Sequence, residues 1–154
     1  WLAGMALFGA GHVFYAAAFL LLAQQRASAG ELPWRSSVVA VTLVSFGTLG
    51  AMLPGTEAPS ALRLGGIGYA AVISVMTGLA LALGRAARAF RALALGAFLF
   101  WLSDLMLGAS LYTSVGGSLW NDIIWVEYIA GQALIVTGAK TGVRPVCMLA
   151  ETHS

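Results

Sequence analysis

Charge is what this chain has least of. Asp, Glu, Lys and Arg make up 9% of its 154 residues and hydrophobic residues 60%, against about 25% charged residues in a soluble domain. So apolar a composition excludes an ordinary soluble domain and points to helices that face lipid as well as one another. The net charge of +2 is too small to imply a nucleic-acid partner. One cysteine, Cys147, excludes an internal disulfide, and with only two histidines at no ligand spacing a zinc site is not expected. There is no HExxH helix, no nucleophile elbow and no glycine-rich phosphate loop. Ser103 has no histidine at local spacing, so nothing supports a serine hydrolase. Internal repeats, low-complexity segments and a signal-peptide pattern are missing too.

What is present is a set of long apolar runs. About 20 apolar residues cross the ~30 Å hydrocarbon layer, and five stretches reach or approach that length: residues 2–23, 37–53, 62–84, 92–111 and 119–138. The chain is therefore expected to be an all-α, polytopic membrane helical bundle, a single transmembrane domain over 1–154 with residues 139–154 as a cytoplasmic tail. Arg26, Glu31, Pro33 and Arg35 mark the first connection, and Pro54-Gly55 with Glu57 and Pro59 the second. Arg85, Arg88 and Arg91 mark the third, and the Gly/Ser-rich residues 113–118 the fourth. Such short connections imply antiparallel neighbours. The basic residues fall in the first and third connections and the tail, with Lys140 and Arg144, whereas only Arg63 lies near the opposite face. That bias supports five spans and a cytoplasmic C-terminus. Trp34, Trp120 and Trp125 suit the headgroup belt. Small residues such as Gly47, Gly50, Gly66, Gly96 and Gly108 are expected to let helices approach closely. The chain starts at Trp1, without an initiator Met and inside an apolar run, which reads as an N-terminal truncation.

Against this apolar background a few polar groups stand out. Asp104 lies roughly 18 Å along its helix, near the bilayer midplane. An ionisable group there is by default a functional-site hypothesis. Low dielectric favours the neutral form of a carboxyl group, the state a general acid requires. The alternative is a neutral aspartate tying two helices together. Trp101 and Gly108 share its face at i−3 and i+4, with Trp101 expected on an interior wall. Ser103 can bond a neighbouring helix or its own backbone. His12 and Tyr15 project together at i, i+3. A lone histidine there is either a packing group or a proton-transfer or ligand contact. Phe8 reads as core. In the last span Trp125, Tyr128 and Gln132 share one face, available for helix–helix bonds or a site, while Glu127 points about 100° away. Asn121 and Asp122, near the span start, read as wet.

Three segments then carry a resemblance. Gly11-His12-Val13-Phe14-Tyr15, the run from Gly96 to Asp104, and Tyr128-Ile129-Ala130-Gly131-Gln132 with Leu134-Ile135 resemble the YhhN family of lysoplasmalogenases in order and spacing. Tyr69 and Met76 are similar to that family's Tyr and Met in the corresponding helix. The resemblance implies an eight-helix fold of which this chain holds the last five helices. It also implies that a Gly-Asp pair, the second carboxylate, lies upstream. Glu127 has no counterpart in the family pattern. The implied activity is hydrolysis of the vinyl-ether bond of a lysoplasmalogen, a lysophospholipid in the bacterial inner membrane. Its products are a fatty aldehyde and glycerophosphoethanolamine or glycerophosphocholine, and no cofactor is required. On that basis Asp104 is expected as acid or as partner carboxylate, and His12 to orient water or shuttle a proton. Tyr15, Ser103, Tyr128, Gln132 and Trp101 would then contact substrate.

Two other readings remain. Midplane Asp, His and Glu also mark proton relays in transporters, although the spans look continuous and show no inverted symmetry. A noncatalytic lipid-binding protein is the third. It expects Asp104 and His12 to face different neighbours and never to share a cavity.

Overall fold

The computed structural model describes the backbone of residues 2–27, 34–54 and 56–151, and the side chains of 3–24, 34–54 and 56–140. Expectations for Glu31 and Pro33, and for the side chains of Arg26, Arg144 and Cys147, lie outside the described residues. The described chain is all helical, with five α-helices: α1 (Leu2–Ala27), α2 (Trp34–Met52), α3 (Ser60–Ala86), α4 (Arg91–Tyr112) and α5 (Ser118–Glu151). Among the described residues, four stretches are long and apolar enough to cross a membrane: Ala3–Gln24, Trp34–Met52, Ser60–Ala86 and Arg88–Tyr112. The described part of α5 is diluted by Asn121, Asp122, Glu127 and Gln132, but it runs antiparallel along α4. Its Trp120 indole N–H donates to Ser110 Oγ (2.8 Å) near one end of α4, and Gly138 sits against Leu93 at the other. α5 continues as helix to Glu151, into the stretch expected as a tail.

The helix ends follow from local chemistry. Pro59, at φ −54 and ψ 146, enters α3 with the extended backbone proper to a residue before a helix. Ala87 turns extended (φ −142, ψ 134), and its N–H closes α3 on Leu83 O. A 3₁₀ turn over Arg88–Phe90 then leads directly into α4. Thr113 ends α4, donating both N–H and Oγ1–H to Ala109 O. Gly117 takes φ +145, a value L side chains rarely adopt, and its carbonyl accepts the first α5 bond from Asn121.

Consecutive helices alternate in direction, and α3 is the hub, packed on α1, α2 and α4, while α5 packs on α4. The bundle has a dense half and a hollow half. In the dense half Phe19, Met76, Leu79, Phe90, Leu93 and Phe100 are almost fully buried. Gly78 there meets the α2 backbone at Val38, Gly84 meets Ala94, and Gly96 and Gly131 face each other. The small-residue expectation thus holds for Gly96, whereas Gly66 makes room for the phenol of Tyr112. A Cβ at Gly47, Gly50 or Gly108 would meet nothing within 4 Å among the described residues, because these positions lie outside the tightly packed seams. Arg35, Arg85, Arg88, Arg91 and Lys140 all lie at the dense end, where Arg85 donates to Ser37 Oγ (2.6 Å). Leu7, Phe14, Leu43, Leu64 and Val126 face outward, two-thirds exposed or more. That is the surface expected against acyl chains.

Candidate functional site

The hollow half holds a chamber of about 650 Å³ to which every helix contributes, among others Phe8 of α1, Leu49 of α2, Tyr69 of α3, Asp104 of α4 and Tyr128 of α5. Its wall is mostly apolar, and its size falls within the roughly 300–1,000 Å³ usual for small-molecule pockets. Asp104 is eight residues from the end of α4 at Tyr112, so its Cα lies about 12 Å below the rim.

The phenol of Tyr69 donates to Asp104 Oδ2 (2.7 Å), joining α3 to α4. A carboxyl group engaged this way on one oxygen keeps the other oxygen for its own proton or for a ligand. Trp101 also lines the chamber, 8% exposed. Its indole N–H donates to Ser45 Oγ (2.8 Å). Ser45 and Ser74 share a 2.7 Å bond, and Ser74 reaches Ala70 O at 2.5 Å. With the Ser74 proton on that carbonyl and the Ser45 proton on Ser74, every donor in the chain from α4 through α2 to α3 is satisfied. The chain fixes the indole as a wall. Ser103 lines the chamber too, but its hydroxyl donates to its own helix at Phe100 O (2.7 Å).

Four of the residues singled out from sequence therefore share this chamber: Asp104, Trp101, Ser103 and Tyr128. The other three do not. His12, Tyr15 and Gln132 line a separate cleft of about 200 Å³, with Phe8 common to both cavities. Tyr15 donates to Gln132 Oε1 at 3.4 Å, a long bond between α1 and α5. His12 is 2% exposed, and its Nδ1–H donates to Phe8 O. A neutral imidazole in that tautomer carries its lone pair on Nε2, and Nε2 is buried with no partner among the described residues. The His12 ring packs on Phe100 (4.7 Å between centroids) and Tyr69 (5.7 Å). One aromatic ring thus stands between the imidazole and the Asp104 carboxyl. Phe8, Tyr128, Phe100, His12 and Tyr69 follow one another in ring contact, so the imidazole is held in an aromatic row rather than in the chamber wall.

The structure adds residues that sequence reading did not select for the site. Tyr69 entered only through the family resemblance, and Ser45 and Ser74 had no sequence signal at all. Phe8 is not core: it is 47% exposed. Trp125 lines the chamber and packs edge-on against Tyr128 (5.8 Å), and Asn121 lies on the same wall. Glu127 does not line the chamber; its Oε2 is buried without a partner among the described residues. No group of three or more His, Cys, Asp or Glu is arranged to hold a metal among the described residues.

Comparison with known proteins gives a single finding. No curated protein and no solved structure matches the chain. The model of the YhhN family matches residues 1–139, which covers all five spans and every residue of both cavities, and the chain belongs to the YhhN family.

Proposed function

We propose that this protein is an integral membrane hydrolase that cleaves the vinyl-ether bond of lysoplasmalogens, with the basic end of the bundle in the cytoplasm. The observation that carries the reading is the Tyr69–Asp104 pair opening onto a largely apolar chamber of lipid-tail dimensions. Vinyl ethers hydrolyse by rate-limiting protonation of the alkene carbon. The C=C π electrons take the proton, leaving an oxocarbenium ion stabilised by the ether oxygen. Water adds to the cationic carbon and returns a proton to the carboxylate. The resulting hemiacetal then splits into the fatty aldehyde and the glycerol hydroxyl.

Asp104 supplies the proton from the oxygen not engaged by Tyr69. Once Asp104 is a carboxylate, the phenol bond to Oδ2 stabilises it, so Tyr69 assists the transfer electrostatically. Tyr128 and Asn121 present polar groups toward the glycerol end of the lipid, and the apolar wall takes the alkenyl chain. A second carboxylate, of the kind the resemblance implies, would stabilise the cation or activate water, as paired carboxylates do in glycosidases. His12 takes a supporting place, packing against Tyr69.

The separation of His12 from the chamber favours a second reading, a lipid-binding protein without catalysis. One assay divides the two. Detergent-solubilised protein given lysoplasmalogen, with no gradient present, should release fatty aldehyde, and Asp104→Asn should abolish release while the protein stays folded. Full activity in Asp104→Asn removes Asp104 from the mechanism. Lipid binding without aldehyde from the wild-type protein supports the noncatalytic reading instead.

A further inference from the structure

Basic residues sort to the dense end of this bundle with one exception. Arg63 lies in the first turns of α3, at the chamber end, and is the one Arg or Lys there among the described residues. Positive charge is disfavoured on the translocated side of a membrane protein, so a lone arginine at that end calls for a local reason. Its place on the helix supplies one. Arg63, Gly66, Ala70 and Ile73 follow at i, i+3, i+7 and i+10, a single stripe of α3. Gly66, Ala70 and Ile73 all line the chamber. Arg63 is exposed, one turn beyond that lining. The rim beside it is fixed, because Tyr112, also a lining residue, donates its hydroxyl to Leu62 O (2.9 Å).

We propose that Arg63 anchors the phosphate of a single-tailed phospholipid whose chain occupies the chamber, an inference that rests on the lipid-binding reading above. The lengths agree. Arg63 lies six residues before Tyr69, about 9 Å along the α3 axis, and Tyr69 holds Asp104. In a glycerophospholipid five bonds separate the sn-1 ether oxygen from phosphorus, a reach of about 6 Å at bond lengths near 1.5 Å. With the ether at Asp104 and the headgroup toward the rim, the phosphate arrives within the sweep of the Arg63 side chain. A guanidinium offers the planar, paired donors that phosphate oxygens accept. Asp122 and Glu57 lie at the same end of the bundle and complement the ammonium of a zwitterionic headgroup.

The test is binding rather than turnover, so it does not depend on catalysis. The full protein in detergent is titrated with a non-cleavable 1-alkyl ether lysophospholipid, with the matching alkylglycerol that lacks phosphate, and with inorganic phosphate. Tryptophan fluorescence from the chamber indoles reports binding. The wild-type protein should bind the phospholipid about tenfold more tightly than the alkylglycerol, the value of one charge-assisted contact at a wet rim. Arg63→Gln should erase that preference without changing alkylglycerol affinity. Arg63→Lys should keep part of it, and Arg91→Gln at the opposite end should leave it intact. An undiminished preference in Arg63→Gln overturns the assignment while the lipid chamber stands. Tight binding of inorganic phosphate alone overturns it in favour of a free-anion site. Failure of both lipids to bind defeats the lipid reading itself.

Discussion

At the scale of single residues, the bond from Tyr69 to Asp104 organises the chemistry. The phenol engages one carboxyl oxygen and leaves the other unengaged by it; in the proposed mechanism that bond also steadies the anion left after proton transfer. Tyr69→Phe removes that donor and little volume. We expect turnover to fall about 10- to 100-fold, the range of a lost hydrogen bond to a charged group, with thermal stability nearly unchanged; steady-state kinetics beside a melting curve would show it. Equal turnover would mean that Asp104 acts without the phenol. Asp104, Trp101 and Tyr128 were legible in the sequence because a polar or ring-bearing side chain deep in an apolar span has few other reasons to be there. The i, i+3 pairings were legible too: His12 with Tyr15 and Trp125 with Tyr128 are both in edge-on ring contact. Which helix each pair faces was not legible. Spacing within a helix fixes a face and leaves the neighbour open, and so His12, Tyr15 and Gln132 were grouped with a chamber they do not line.

Between elements, α4 and α5 approach closely backbone to backbone. A Cβ on Gly96 would come within 2.7 Å of Gly131 O and Ile135 N, and one on Gly131 within 2.9 Å of Gly96 O and Phe100 N. Backbone atoms cannot retreat as the end of a side chain can. Gly96→Ala should therefore destabilise the fold by about 1–3 kcal/mol, the usual penalty for overpacking. Gly47→Ala, where the added carbon meets nothing, should be neutral or slightly stabilising through helix propensity. Thermal unfolding in detergent of the two variants side by side measures the contrast; equal melting temperatures would contradict the α4–α5 contact. Glycine count alone did not separate such seams from open positions. The α4–α5 seam depends on two glycines facing each other across helices, which a one-dimensional pattern does not record.

For the whole molecule, alternating helix directions put the described basic residues of the connections at the dense end and the chamber at the other. That division was legible in part. Charge sorting gave the alternation, but nothing in the sequence told which half would be hollow. If the basic end is cytoplasmic, Ser114→Cys in a Cys147→Ser background should react with a membrane-impermeant thiol reagent added outside spheroplasts. Arg88→Cys in the same background should react only after lysis, and the reverse pattern would invert the topology. If a carboxylic acid in the chamber protonates the alkene carbon, hydrolysis of a lysoplasmalogen in D₂O, with immediate trapping of the aldehyde and mass analysis, should show it. One deuterium is expected on the carbon next to the carbonyl, and no product from Asp104→Asn. Aldehyde formed without that deuterium would contradict protonation at carbon.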